Sequence, residues 1–262
     1  MNKLIALTLC TVLSLISSPV LANKAETMLL PQRIVLEPGE RTATLIVKNA
    51  GDATGEYTLE LIDMNMEEAG GIVQVPTGTP PTEFSAIPFA HAAPRSVTLK
   101  PGETQTVRIL VRRPEGMAEG EYRSHIKVRI VNDNVDVKPD EKNLRITVKP
   151  NLVMIVPLII RQGNTQFKAS LSEPRIKGRN LEVYIGREGN RSAEGNLRVY
   201  QTQGGKEVMV GELNGIPVYR PTAKRLVRAP LKGYLPGQPL LIRYEQPEKD
   251  GGAVLAETRL TP

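Results

Sequence analysis

The 262-residue sequence holds a single cysteine, Cys10, two histidines and no tryptophan, and aromatic residues make up only 4% of it. Each scarcity excludes something. One cysteine cannot close a disulfide within the chain, so the core must be adequate without cross-links, and cysteine-based metal sites are excluded. His91 and His125 have no metal-ligand spacing, and no His-Glu-x-x-His run occurs. Ser124 and His125 are adjacent, and adjacent residues of a strand point to opposite faces, so they do not form a catalytic dyad. A Gly-x-Ser-x-Gly nucleophile turn is missing, and Gly251-Gly252 lacks the setting of a phosphate loop. The pairs Glu67-Glu68 and Asp140-Glu141 fall in predicted turns, where carboxylates are solvated. No segment beyond residue 22 sustains an apolar stripe of 3.6-residue period, which argues against helices. The chain is expected to bind rather than to catalyse, without a cofactor or metal.

One long apolar run is present, at residues 4–16, preceded by Lys3 and followed by Ser17-Ser18-Pro19 and Val20-Leu21-Ala22. A basic start, a short apolar stretch and small residues at the last and third-last positions predict a secretory signal peptide, residues 1–22, cleaved after Ala22. The run is too short for a stable membrane span. Leu9 stands where a lipoprotein signal ahead of Cys10 needs a small residue. Of 34 basic residues against 28 acidic ones, Lys3 leaves with the signal, so the mature charge is 33 − 28 = +5. For an exported chain an acidic protein partner or an anionic surface is a better match than nucleic acid, and a plain solvated basic surface fits equally.

Gly 22 and Pro 21 imply many tight corners. Residues 33–36 read as a short strand ending at Pro38-Gly39-Glu40, and 42–48 as a second strand closed by Asn49-Ala50-Gly51-Asp52. Proline sets φ for the first central turn position and glycine accepts the positive φ of the next. Tyr57, Leu59 and Leu61 alternate with Thr58 and Glu60. Gly70-Gly71 predicts a turn before residues 72–75, and 76–94 reads as a long loop or edge segment. Lys100-Pro101-Gly102-Glu103 before residues 105–111 echoes Glu37-Pro38-Gly39-Glu40 before 42–48, as two corners of one sandwich. Tyr122, Ser124, Ile126, Val128 and Ile130 line one side of a strand at 121–131. A polar loop, 132–143, precedes the most apolar stretch, 144–160. Beyond a boundary at Gln162-Gly163-Asn164, short strands are expected at 167–171, 180–186, 196–201, 207–213, 225–230, 240–245 and 254–260. The pattern predicts an all-β fold of two immunoglobulin-like β-sandwich domains, 23–161 and 162–262, each close to the usual size of about 100 residues.

In the order of these elements the chain resembles the periplasmic chaperones of chaperone–usher pilus assembly. Three segments carry the likeness: Arg33-Ile34-Val35-Leu36-Glu37-Pro38-Gly39-Glu40 through Leu45-Ile46-Val47-Lys48-Asn49; Leu99-Lys100-Pro101-Gly102-Glu103 with Glu121-Tyr122-Arg123-Ser124-His125; and Val156-Pro157-Leu158-Ile159-Ile160-Arg161. The likeness covers most of 28–161; across 162–262 only the β pattern and the size agree. It implies an L- or boomerang-shaped pair of domains that lends an edge strand to a pilin or fimbrial subunit lacking its own last strand, blocks premature polymerisation and delivers the subunit to an outer-membrane usher. Main-chain bonds would supply affinity and alternate side chains would fill the subunit's groove. A self-capping dimer of the free protein is a further possibility within that resemblance.

The resemblance puts the donor strand in residues 144–160, with the apolar row Leu144, Ile146, Val148, Leu152, Met154 and Val156 on one face. Pro150, in the same row, cannot donate to a ladder and belongs on an edge. Arg33 matches the arginine that grips the subunit's C-terminal carboxylate, through paired charge-assisted hydrogen bonds. The family's supporting lysine is replaced here by Pro157; either Lys149 or Arg123 assists Arg33, or the terminus is held differently, or the task has changed. Arg161 matches an arginine of the interdomain ion network, with Glu121 as its acidic partner, although Arg123 stands where the family usually has an acid. The rival reading is an exported immunoglobulin-like structural or adhesive module, because this fold carries many functions. A scaffold needs neither an open apolar edge nor a cleft cation; a chaperone needs both.

Overall fold

The computed structural model describes residues 25–131, 139–140, 143–144 and 153–261. The first half forms strands β1 (Thr27–Leu30), β2 (Ile34–Leu36), β3 (Thr42–Asn49), β4 (Gly55–Ile62), β5 (Met64–Met66), β6 (Ile72–Gln74), β7 (Ala90–Ala93), β8 (Ser96–Leu99), β9 (Thr104–Val111), β10 (Gly120–Val131), the two-residue strands β11 (Pro139–Asp140) and β12 (Asn143–Leu144), and β13 (Val153–Gln162). The second half forms β14 (Phe167–Lys177), β15 (Asn180–Gly189), β16 (Ala193–Gln203), β17 (Lys206–Val218), β18 (Lys224–Pro230), β19 (Leu240–Glu245) and β20 (Val254–Leu260). Among the described residues there is no α-helix, and the protein is all-β.

Four sheets make two sandwiches. A four-stranded sheet, β1-β3-β9-β7, faces a five-stranded sheet, β2-β13-β10-β4-β8; in the second half β14-β15-β18 faces β17-β16-β19-β20. Each pair of sheets closes over its own apolar core. In the first, the row Leu45 and Val47 of β3 meets Val107 and Ile109 of β9, Tyr57 of β4, Ile126, Val128 and Ile130 of β10 and Val156, Leu158 and Ile160 of β13. The second gathers Leu181, Val183 and Ile185 of β15 with Leu197 and Val199 of β16 and Ile242 and Tyr244 of β19. Period-two alternation of apolar residues dictates this, since successive side chains leave a strand on opposite faces.

The repeated Pro-Gly motif has a common geometry. Gly39 and Gly102 sit at φ +90° and +78°, as the second central position of a type II turn requires. In each turn the following glutamate reaches back to the first residue: the Glu37 and Lys100 amides donate to the Glu40 and Glu103 carboxylates, both at 2.8 Å. The strands these turns launch, β3 and β9, are antiparallel neighbours with the same burial alternation. Asn49, fully buried, joins three elements. Its Nδ2 donates to the carbonyls of Ala53 and Leu99 at 2.7 and 3.0 Å, and its Oδ1 accepts from the Glu26 and Gly51 amides. A buried amide with every site used costs nothing in lost hydration that is not returned.

One detail differs from the sequence reading, while residues 76–94, read as a loop or edge segment, hold a short 3-10 turn, Ile87–Phe89, and an edge strand, β7, that pairs with β9. The strands of the second half run longer than expected, β17 from Lys206 to Val218 and β14 from Phe167 to Lys177, because bulges let them bend around the core without ending.

Candidate functional site

The outward face of β10 is the sequence feature from which the site grows. Its inward residues are apolar apart from the buried Ser124, but Glu121, Arg123, His125, Lys127 and Arg129 alternate on the other side. Opposite them on β13 stand Arg161, Ile159, Pro157, Ile155 and Val153. At one end of this face the second sandwich covers the strands; at the other the strands are open.

At the covered end, Tyr219, just after β17, inserts against the first sandwich. With Met66, Ile159 and Val35 it forms a small apolar cluster fed by both sandwiches. The Arg123 guanidinium lies 4.4 Å from the Tyr219 ring centroid, Arg33 lies at 5.9 Å, and the His125 ring meets it edge-on at 6.2 Å. A desolvated cation over an aromatic face contributes about 0.5–2 kcal/mol. Burial raises the Tyr219 pKa and outweighs the Arg33 and Arg123 charges that lower it, so its hydroxyl stays protonated. Arg123 is almost wholly buried and spends its donors on main-chain carbonyls, Met64 at 3.0 Å and Arg220 at 3.3 Å. It therefore ties the two sandwiches together, and it shares the Tyr219 ring with Arg33. Burial lowers its pKa. Burial, with Arg123 adding repulsion, pushes His125 down to about 3, so the imidazole is neutral.

Arg33, directly ahead of β2, reaches across to the second sandwich. Its Nη1 is 2.7 Å from Glu194 Oε2 on β16. The arginine that the resemblance assigns to a subunit carboxylate thus holds a carboxylate of its own chain. Arg161, at the end of β13, pairs with two acids: its Nε lies 3.4 Å from Glu121 Oε2, and its Nη1 bonds Glu37 Oε1. Glu121 is 1% exposed and also accepts from the Ser192 amide at 3.3 Å. A buried carboxylate is tolerable only with such charged and hydrogen-bonded partners. The Glu121 amide donates to the Asn190 carbonyl at 2.9 Å, and Arg220 Nη1 donates to the Glu121 carbonyl at 3.3 Å, so this residue ties the sandwiches together through main chain and side chain. The β5–β6 hairpin adds a second tie: the Leu226 amide donates to the Glu68 carbonyl at 2.7 Å, Thr222 Oγ1 to the Met66 carbonyl at 2.8 Å.

Of the expected donor row, Ile146, Val148 and Leu152, with Lys149 and Pro150, lie outside the described residues, and for Leu144 only its backbone in β12 is described. Met154 and Val156 are described, and both pack towards the protein's own core, sharing parity with Leu158 and Ile160. The exposed apolar side chains of β13 belong to the other parity: Val153 is 43% and Ile155 37% exposed. Main-chain pairing changes along this strand. Among the described residues, β2 joins β13 at Leu158–Ile160, in parallel, and from Val153 to Pro157 the strand's partner is β10. Pro157 stands where the change occurs, opposite His125, and brings no amide hydrogen to either neighbour.

Glu194, Tyr219, Arg191 and Glu37 also shape this cleft, and no sequence pattern marked the first three. Glu37 was visible only as part of its turn. A cavity of about 450 Å³ opens beside Arg33, bounded by Arg161 and Glu37 of the first sandwich and by Arg191, Glu194 and Asp250 of the second.

No protein-family model matches this chain, and no curated protein matches it. Solved structures do. The class 5 fimbriae chaperone CfaA is 13% identical, with 90% of this chain and 100% of that chain covered and a TM-score of 0.48. The E. coli chaperone DraB is 16% identical over 90% of this chain and 96% of that one, with a TM-score of 0.45. A chain of the Salmonella enterica SafA pilin in complex with the SafB chaperone is 15% identical over 90% and 96%, with a TM-score of 0.46. Chaperones thus recur among the solved structures to which this all-β chain is similar, one of them named for fimbriae and one solved with a pilin.

Proposed function

We propose that this protein is an exported, ATP-independent periplasmic chaperone, without enzymatic activity, that binds fimbrial or pilus subunits by lending them an edge β-strand and hands them to an outer-membrane usher. The observation that carries the reading is β13 itself. Over Val153 to Pro157 its second main-chain edge meets no partner strand among the described residues and it carries two exposed apolar side chains, and at its other end it runs into an arginine-lined cleft. Strand addition needs that edge for main-chain bonds and apolar side chains for the groove. β1 supports it: Met28 and Leu30 are 44% and 49% exposed, and this strand touches β13 along the same side of the sandwich.

The row Leu144, Ile146, Val148 and Leu152 continues the parity of Met154 and Val156. Side chains that face the protein's own core at Val156 would, where the strand projects past that core, face the core of a bound subunit, and the two interiors would join through one strand. Arg33 is the anchor for the subunit's terminal carboxylate, and Glu194 must yield it on binding. In this reading residues 1–22 are removed on export, the domains divide at 161/162, and free molecules cap each other's edges as dimers. The Arg33–Glu194 pair and Pro157 favour the alternative, an exported structural or adhesive module whose cleft is an internal joint.

Affinity purification of the tagged protein from periplasm, with mass spectrometry of what co-elutes, separates the two. The chaperone reading expects a small secreted β subunit with the parent, and its loss from folded Arg33→Ala and Ile155→Asp. Co-elution of no such subunit while candidate subunits are expressed would give the scaffold reading the lead.

A further inference from the structure

The excess positive charge of this chain is not shared between its halves. Residues 23–161 carry 17 basic and 18 acidic side chains, whereas residues 162–262 carry 16 basic and 10 acidic. Within the second sandwich the outward faces of the two sheets differ again. On β17-β16-β19-β20 the charges meet in pairs: Arg198 with Glu212 at 2.9 Å, and Arg243 with Glu257 at 2.8 Å and Glu207 at 3.3 Å. On β14-β15-β18 they do not balance. Arg175 of β14 and Arg228 of β18 stand opposite the same residue of β15, Glu182. Arg175 Nε and Nη2 lie 2.9 and 2.8 Å from Glu182 Oε2, and Arg228 Nε donates to Oε1 at 2.8 Å. The carboxylate is 3% exposed, beneath two arginine side chains that are 51% and 56% exposed. One buried anion thus fixes two cations side by side at the surface and neutralises one of them, and much of the side-chain freedom that a surface arginine loses on binding is lost beforehand.

Three more cations continue the patch. Lys177 follows Arg175 by two residues on β14, which puts it on the same face about 7 Å further along. Arg179 lies in the turn to β15, and its carbonyl accepts from the Leu231 amide at 2.8 Å, which brings Lys232 beside that turn. All three are exposed. Arg175 and Arg228 are two strand spacings apart, about 10 Å, which is about the screening length in 0.1 M salt, so the charges act on an anion together. The other acids of this face stand away from the patch. Glu173 and Glu68 border Lys224, at 3.8 and 3.0 Å, where the β5–β6 hairpin meets β18, and Glu188 stands opposite Lys168 at the start of β14.

The arrangement selects its counterpart. The cations stand on the outer face of a sheet and on the turns that continue it, so a planar array of negative charge meets all five at once. One extended acidic segment would meet some and leave the rest in solvent. Guanidinium forks match phosphate oxygens. Ile176, exposed between Arg175 and Lys177 in the chain, is an apolar side chain of the kind that enters the boundary between headgroups and acyl chains.

We propose that this end of the second sandwich docks on an anionic phospholipid surface, with Arg175 and Arg228, held by Glu182, binding headgroup phosphates and Lys177, Arg179 and Lys232 adding attraction at longer range. The inference is independent of the chaperone reading and draws only on the export that the signal sequence predicts, which brings the chain to membrane surfaces.

The test is flotation of the protein without residues 1–22 on vesicles of phosphatidylcholine alone and of phosphatidylcholine mixed with phosphatidylglycerol, at low and at high salt, with lipid titrated. The protein is expected to float with the mixed vesicles at low salt, and with neither kind at high salt. Lys177→Gln combined with Arg179→Gln leaves both Glu182 pairs intact and is expected to bind about 25-fold more weakly, about fivefold for each cation removed near an anionic surface. Lys206→Gln combined with Arg259→Gln, on the opposite sheet of the same sandwich, removes the same charge and is expected to bind like the parent. Melting temperatures equal to the parent's verify that both variants are folded. No flotation with the mixed vesicles at low salt, equal loss in the two double variants, or flotation that survives high salt overturns the proposal. Binding of poly-glutamate by a parent protein that ignores the mixed vesicles would assign the face to an acidic polypeptide, and overturns it as well.

Discussion

Replacing His125 with glutamine should change how stability depends on pH, and the size of the change follows from the site. The imidazole is 3% exposed, packed edge-on against Tyr219 and next to the Arg123 guanidinium. Arg123 can only donate, so the contact of its Nη1 with His125 Nε2, at 3.4 Å, requires that nitrogen to accept and the proton to sit on Nδ1. Protonating the ring would bury a second cation there. Its pKa is accordingly pushed from 6.5 to about 3. The unfolded chain then binds a proton that the native state refuses. Stability from this source is complete above pH 6.5 and falls as the pH drops from there towards 3, by about 1.4 kcal/mol per pH unit once well below 6.5. Between pH 7 and pH 5 the loss comes to about 2 kcal/mol, and by pH 4 to about 3 kcal/mol.

Glutamine keeps an oxygen that can accept from Arg123 and cannot ionise. The assay is urea denaturation of the parent and His125→Gln, followed by circular dichroism at pH 7 and pH 5. Carboxylates titrate in both proteins and cancel in the difference. The parent should lose about 2 kcal/mol more than the variant over this interval. Parallel losses would refute the argument, because the native ring would then be taking up its proton at an ordinary pKa.

Four other outcomes follow from the same structure. Ile126, with none of its surface exposed in the first core, should cost about 2–5 kcal/mol on replacement by alanine, read as a lowered urea midpoint. Gly39→Ala and Gly102→Ala meet no atom within 4 Å of the new Cβ, so each should cost only the backbone penalty of a positive φ, about 1–2 kcal/mol by thermal denaturation. Glu121→Gln keeps an acceptor for the Ser192 amide but leaves Arg161 with Glu37 alone, and should lower stability by about 1–3 kcal/mol in a melt. Ile155→Asp sits on an exposed edge, so its melting temperature should match the parent's while subunit capture is lost; a fall in both would place Ile155 in the protein's own packing.

Much of the architecture was legible because its causes are local. A proline followed by glycine makes a corner by itself, and alternation marks a half-buried strand wherever it occurs, so the two motif-launched strands β3 and β9, and the β10 run from Glu121 to Val131, could be read without knowing their neighbours. Glu121 and Arg161 could also be named from sequence, through the family pattern at two strand ends. The orientation of the β13 row could not be read in the same way. Residues 152–160 are apolar on both parities, and only the position of the opposing sheet decides that Val156 turns inward and Ile155 outward.

The cleft is where local reasoning ended. Composition, turn chemistry and strand period determined an all-β chain with two apolar cores, because each depends on residues close together in sequence. Tertiary structure alone decided that Arg33 meets Glu194, that Arg123 reaches the Met64 and Arg220 carbonyls and the Tyr219 ring, and that Arg191 lines the same cavity over the Phe167 ring. Those pairings join residues far apart in the chain and on different sandwiches. Electrostatics acts through space, and nothing in the spacing of one strand records which charge another sandwich will bring against it.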